Sequence, residues 1–188
     1  MTQQDDSISV IDFWFRELTP DDWFQGGAAI DALIHNRFSA LLNDAREGKL
    51  DAWAATPRGR LALILVLDQF SRNLHRGSPD AFAGDGKAQT LTIEGVELGM
   101  DKGLTFDERQ FFYMPLMHAE NPARQSQCVA HFTALKAEAE GLLAFAEGHA
   151  AVVTRFGRFP HRNAVMGRVS TAEEQLYLAT EDTRSAGG

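Results

Sequence analysis

TPRGRLALILVLDQFSRNL, residues 56–74, decides the fold. Thr56 and Pro57 read as an N-cap followed by a first helical position. A hydroxyl there satisfies an orphan backbone N–H, and proline loses no hydrogen bond. The apolar run LALILVL, residues 61–67, follows at once, and Gly77-Ser78-Pro79 ends the element. A helix to about Leu74 places Leu61, Ile64, Leu65, Asp68 and Arg72 on one stripe. The run is far too short to span a bilayer.

Working outward, the helical period persists and no period-2 strand or hairpin turn interrupts it. Before this segment, helices are expected at about Ser9–Glu17, ending before Thr19-Pro20, and at Ala28–Glu47, stopped by Gly48. After it, one is expected at Ala81–Met100, weakened by Gly86, Gly95 and Gly99. Another opens on the capping box Thr105-Phe-Asp-Glu108, and Pro115 should kink or end it. Two more are expected at Ala123–Ala137 and Gly141–Phe156. A last one opens on a second box, Ser170-Thr-Ala-Glu173, and reaches about Ala179, with a frayed tail over residues 180–188. The expectation is an all-α protein, a single domain over residues 1–188, built as stacked antiparallel helices. No repeat of about 34 residues is legible, so any solenoid-like stack has degenerate repeats.

Composition narrows the function classes. With 188 residues, 44% hydrophobic and 23% charged, the chain has the make-up of a soluble globular protein. Its net charge of −8 argues against general nucleic-acid binding, which needs a basic surface to displace counterions. One cysteine, Cys128, excludes an internal disulfide and a cysteine-based zinc site. The opening MTQQDDS is polar and acidic, unlike a signal peptide, so a cytoplasmic protein without membrane attachment is the expectation.

The candidate functional residues are polar groups on apolar faces. Asp68 and Arg72 lie four apart, so their side chains can meet, and a carboxylate beside LALILVL needs a partner. Either they form a structural pair, or Arg72, Asn73 and Arg76 face a cavity in which Asp68 orients one of them. His149 sits at the centre of a face made by Leu142, Phe145, Ala146, Val152, Val153 and Phe156. His118 and Glu120 follow the Pro115 break. A metal site from His118, Glu120, His149 and His161 is conceivable, but no spacing demands one, and no metal or cofactor is expected. The H-x-E of the zinc deaminases lacks its P-C-x-x-C here, and there is no H-E-x-x-H. There is also no phosphate-binding glycine loop and no G-x-S-x-G elbow.

RFGRFPHRNAVMGR, residues 155–168, gathers Arg155, Arg158, Arg162 and Arg168 with His161 and Asn163, and no acid occurs between Gly148 and Ala172. The chain has 14 Arg against 4 Lys, so its cations are mostly of the forked kind that grips carboxylate or phosphate in two places. The arginines either build an anion site or clamp helices by pairing with Asp68, Glu120, Glu173 or Glu174.

The segments WATPRGRLALILVLDQFSRNLHRGSPDAF, FFYMPLMHAE and RFGRFPHRN…GRVSTAEE, with DFWF and WF nearer the start, resemble the signatures of the bacterial domain-of-unknown-function 924 family. The resemblance covers nearly the whole chain. It implies an all-α fold of the tetratricopeptide-like superfamily and no established activity. The family pattern DQFxRN falls on Asp68, Gln69, Phe70, Arg72 and Asn73, and RFGRFPHRN on Arg155–Asn163. Ser71 departs from the proline expected there and removes a local kink.

Two functions are expected to compete. In one, Arg72, Asn73, Arg76, Arg155, Arg158, Arg162 and Asn163 hold a small phosphate- or carboxylate-bearing ligand. His161 or His149 then serves as general acid or base, Asp68, Glu120 and His118 orient the cations, and Trp53 or Tyr113 lines the apolar part. In the other, a tetratricopeptide-like groove grips an acidic peptide through the same arginines.

Overall fold

Thr56 caps the central helix as its position implies: its hydroxyl accepts the Gly59 N–H at 3.1 Å, and Pro57 opens the first turn. The computed structural model describes residues 3–185, and within them every side chain except those of residues 3–5, 142, 145 and 181–185. The elements are α1 (Gln3–Asp12), α2 (Pro20–Gln25), α3 (Ala28–Arg46), α4 (Pro57–Leu65), α5 (Ser71–Leu74), α6 (Asp85–Glu97), α7 (Phe106–Met117), α8 (Pro122–Phe156) and α9 (Ala172–Ser185). Wide π turns extend α1 over Phe13–Glu17 and join α4 to α5 over Val66–Phe70. Short 3-10 turns cover Asp51–Ala55, Pro79–Phe82, Met100–Gly103 and Pro160–Arg162. Among the described residues there is no strand, so the protein is all-α.

The chain divides into two compact units, Met1–Leu135 and Lys136–Gly188. In the first, α4 is the axis. Leu61, Ala62, Leu63, Ile64, Leu65, Val66 and Leu67 are each at most 1% exposed, so the helix is buried on every side rather than along one stripe. It packs against α1, α6 and α7. Where the π turn ends, Phe70 stacks on Phe38 at 5.0 Å and meets Trp14 at 5.7 Å, and Trp14 meets Phe111 edge-on at 5.3 Å. Such ring pairs add stabilisation beyond their buried area.

Several boundaries differ from the sequence expectation, for local physical reasons. Thr19-Pro20 does not only end a helix. It starts α2 through a reciprocal box with Asp22, whose carboxylate accepts the Thr19 N–H at 2.8 Å. The single helix expected at Ala81–Met100 is α6 flanked by two 3-10 turns. Within it, Gly95 is a packing residue: a Cβ there would lie 2.5 Å from Cζ of Phe112 and 2.7 Å from Cδ of Arg60. Pro115 neither stops nor precedes a break in α7, which runs two residues further to Met117. The two helices expected on either side of residue 140 are one continuous α8, because a lone glycine among good helix formers costs only about 1 kcal/mol.

The last helix also shifts. The capping box expected at Ser170 and Glu173 forms one residue later: Thr171 accepts the Glu174 N–H at 3.2 Å, and Glu174 accepts the Thr171 N–H at 2.7 Å. α9 then extends to Ser185, past the expected end at Ala179, and residues 186–188 lie outside the described residues.

Candidate functional site

Asp68 sits in the π turn, 1% exposed, and its neighbours define the site. Its Oδ1 accepts from Arg72 at 3.0 Å and from Nδ1 of His118 at 2.8 Å, and Gln69 donates to Oδ2. Arg72 also donates to the Asp68 carbonyl at 3.0 Å, and its fork grips Asp85 in two places, at 2.8 and 3.0 Å. Asp85 can reach Arg72 because Gly84 lets the start of α6 abut the central helix: a Cβ on Gly84 would lie 2.4 Å from the Leu67 carbonyl oxygen. The Arg72 guanidinium lies 5.4 Å from the centre of the exposed Phe82 ring.

These groups edge an open cleft of about 690 Å³ lined by Arg72, Pro79, Phe82, Asp85, Gln89, His118 and Glu120. Three expected site residues, Arg72, His118 and Glu120, therefore meet, from segments far apart in sequence. Asp85, Gln89 and Phe82 were missed, since nothing in their own stretch marks them. Asp68 pairs with Arg72, and of the three residues expected to face a cavity only Arg72 lines this cleft. Asn73 and Arg76 do not line it. Asp31 of α3 accepts from Asn73 at 2.8 Å and from Arg76 at 2.9 Å twice. The Arg76 guanidinium, helped by the Asn73 amide, holds the Asp31 carboxyl below its ordinary range despite partial burial.

A second cavity of about 440 Å³, lined among others by Ile8, Phe15, Arg58, Thr105 and Glu108, has less to offer a ligand. Its buried carboxylate, Glu108, is already held by Arg58 at 2.9 Å and by the Thr105 N–H at 2.8 Å.

In the unit Lys136–Gly188 the arginine-rich segment folds around Glu174. Arg158 grips this carboxylate at 2.6 and 2.7 Å, Asn163 donates to it at 3.2 Å, and the Thr171 N–H completes the set. The Arg158 fork and the Thr171 N–H pull its carboxyl down to about 2. Arg155 pairs with Glu173 at 2.9 Å. These two arginines thus pair as the clamp alternative expects, and Asn163, expected to hold a ligand, donates to Glu174 instead. Arg162 instead lies over the Phe159 ring at 4.5 Å, and Arg168 donates to the Phe159 carbonyl at 3.3 Å. His161 and His149 are exposed and rest beside the same ring. Of the apolar face drawn around His149, the side chains of Leu142 and Phe145 lie outside the described residues. Trp53 is buried in the core and Tyr113 bonds Asp101 at 2.6 Å, so neither lines the cleft.

Among the described residues no group of three His, Cys, Asp or Glu side chains is placed to hold a metal ion. No described helix is long and apolar enough to cross a membrane.

Residues 10–182 match the family described as bacterial protein of unknown function, DUF924, and the chain belongs to that family. It is also similar to a solved structure, the protein of unknown function ATU0120 from Agrobacterium tumefaciens. The two are 39% identical with a TM-score of 0.68, over 94% of this chain and 98% of that one. No curated protein matches the chain.

Proposed function

We propose that the cleft binds a small polar molecule and that His118 exchanges a proton with it. The observation that supports this reading is the Asp68–His118 pair. A carboxylate only accepts, so Nδ1 of a neutral His118 must carry the proton it gives to Asp68 at 2.8 Å. The basic lone pair is then on Nε2, at the opposite edge of a ring that lines the cleft. A buried carboxylate fixing the tautomer and aim of an imidazole is a recurring arrangement in acid–base sites. Asp68 acts here as a positioning residue.

Charge directs the choice of ligand. Arg72 is already shared by Asp68 and Asp85, and Glu120 adds a further carboxylate to the rim. A hydroxyl- or amine-bearing molecule suits this balance better than the phosphate or carboxylate expected from sequence. Phe82 and Pro79 offer it an apolar wall, and Gln89 and Glu120 offer hydrogen bonds. The test is a fragment screen of small alcohols and amines by amide NMR spectra. Binding should shift the signals of Phe82, Gln89 and His118 and disappear in His118→Ala. An Nε2–H tautomer in the imidazole nitrogen spectrum, or hits that ignore the cleft, would overturn the reading.

The acidic-partner reading keeps the support of one observation. Arg162 and Arg168 make no ion pair with a described residue, and they sit in the acid-free stretch. A charge reversal, Arg162→Glu, should abolish such binding if it occurs there.

A further inference from the structure

We infer, on the reading of the cleft as a small-molecule site, that its ligand is a primary ammonium ion chosen in part by Glu120.

The cleft is rich in free acceptors and poor in free donors. With its proton on Nδ1, His118 offers a lone pair at Nε2 and no further N–H on its ring. Glu120 makes no hydrogen bond or ion pair with a described residue, so both of its oxygens are open to a donor. Asp85 takes one bond from Arg72 on each oxygen, and each oxygen keeps a further lone pair. The Arg72 charge, in turn, is divided between Asp68 and Asp85. Gln89 alone is even-handed, with an acceptor and two N–H groups. A hydroxyl brings one proton to such a wall, and a carboxylate brings none. A primary ammonium brings three N–H groups and a positive charge on one atom. Among the described residues no three acidic or imidazole groups converge closely enough for a metal ion, so the cation that fits is organic.

The acceptors are set in place before anything binds. Asp68 aims the His118 ring. Gln125, near the start of α8, donates to the Met117 carbonyl at 2.7 Å and to the Ala119 carbonyl at 2.8 Å. On the far side of Glu120, the Asn121 side chain accepts the Ala123 and Arg124 N–H groups at 2.9 and 3.2 Å. The backbone that carries His118 and Glu120 is thus tied on both flanks, and a preset acceptor costs a ligand less ordering. Phe82 completes the wall with a ring that already faces the Arg72 guanidinium at 5.4 Å, a surface suited to positive charge.

NMR titration of the full chain at pH 7 tests this with four probes that share a propyl chain: propylammonium, trimethylpropylammonium, propanol and butyrate. Propylammonium should shift the amide signals of Phe82, Gln89 and His118 and bind about tenfold tighter than propanol. Butyrate should leave those signals in place. Trimethylpropylammonium carries the charge without an N–H and should bind no better than propanol. Glu120→Gln should weaken propylammonium about threefold and leave propanol unchanged. Glu120 is exposed and bonded to no described residue, so this variant keeps the fold. Glu97→Gln, on α6 but outside the cleft, removes the same charge and should change neither affinity. Propanol binding at the cleft as tightly as propylammonium would overturn the inference and leave the small-molecule reading standing. Equal affinity for the trimethyl probe would overturn it too, by assigning recognition to charge and the ring alone. So would tighter binding of butyrate, or a propylammonium affinity indifferent to Glu120→Gln. If no probe shifts the cleft signals, the inference and the small-molecule reading fall together.

Discussion

Oδ1 of Asp68 accepts at once from Arg72, four residues away, and from His118, fifty residues away. One buried oxygen thereby ties the π turn of the central helix to the end of α7, and both partners line the same cleft. With Gln69 on Oδ2 as well, the carboxylate has the partners that a buried polar group beside Leu65 and Leu67 requires.

Asp68→Ala removes that shared acceptor, leaves Arg72 to Asp85 alone and leaves the His118 imidazole without its carboxylate. The variant should lose about 1.5–3 kcal/mol of stability, the range for a lost hydrogen bond to a charged group. Urea unfolding followed by circular dichroism measures it. A loss below 1 kcal/mol would mean that the pair is not buried in solution.

Gly84→Ala should destabilise by about 1–3 kcal/mol, since its new methyl would meet a backbone carbonyl that cannot swing aside. The same change should push Asp85 away from Arg72. A crystal structure or NMR contacts of the variant would show whether the fork has let go.

Acid should loosen the Lys136–Gly188 unit in a defined window. Glu174 is pulled from 4.5 down to about 2, so the folded unit binds this proton less readily than the unfolded one. The stabilisation is therefore complete above about pH 4.5 and is lost as pH falls towards 2. NMR signals of α9 amides, followed between pH 6 and 2, should weaken across that window. In Glu174→Gln the dependence should vanish, with the unit less stable at neutral pH.

Arg158→Ala and Arg162→Ala should behave differently despite lying one turn apart in sequence. The first leaves Glu174 without its fork and should melt the start of α9. The second removes only a guanidinium lying over Phe159 and should keep the helix signal. Equal effects on the amide spectrum would contradict the hub.

What could be read from the sequence follows the range of the forces. The caps at Thr56 and at Thr105 with Glu108 were legible because each is closed within three residues. Asp68 with Arg72 was legible for the same reason, one helical turn. The Ser170–Glu174 stretch contains two overlapping boxes, and local rules cannot choose between them. Arg158 and Asn163 choose, by binding Glu174 rather than Glu173. The Asp68–His118 bond, and the turn of Asp85 towards Arg72, depend on how α6 and α7 pack on the central helix. No periodicity in one segment carries that information.

The π turn at Val66–Phe70 amounts to one surplus residue in an otherwise regular helix. Each residue of an α-helix advances the chain about 100° around its axis, so the surplus sets the angular offset of everything after it. Shortening this turn by one residue would give a better-bonded helix and would swing Arg72 off the cleft wall, out of reach of Asp85. Chain length at this point acts as a tuning peg: a single insertion or deletion there dismantles the site while leaving its every side chain in the sequence.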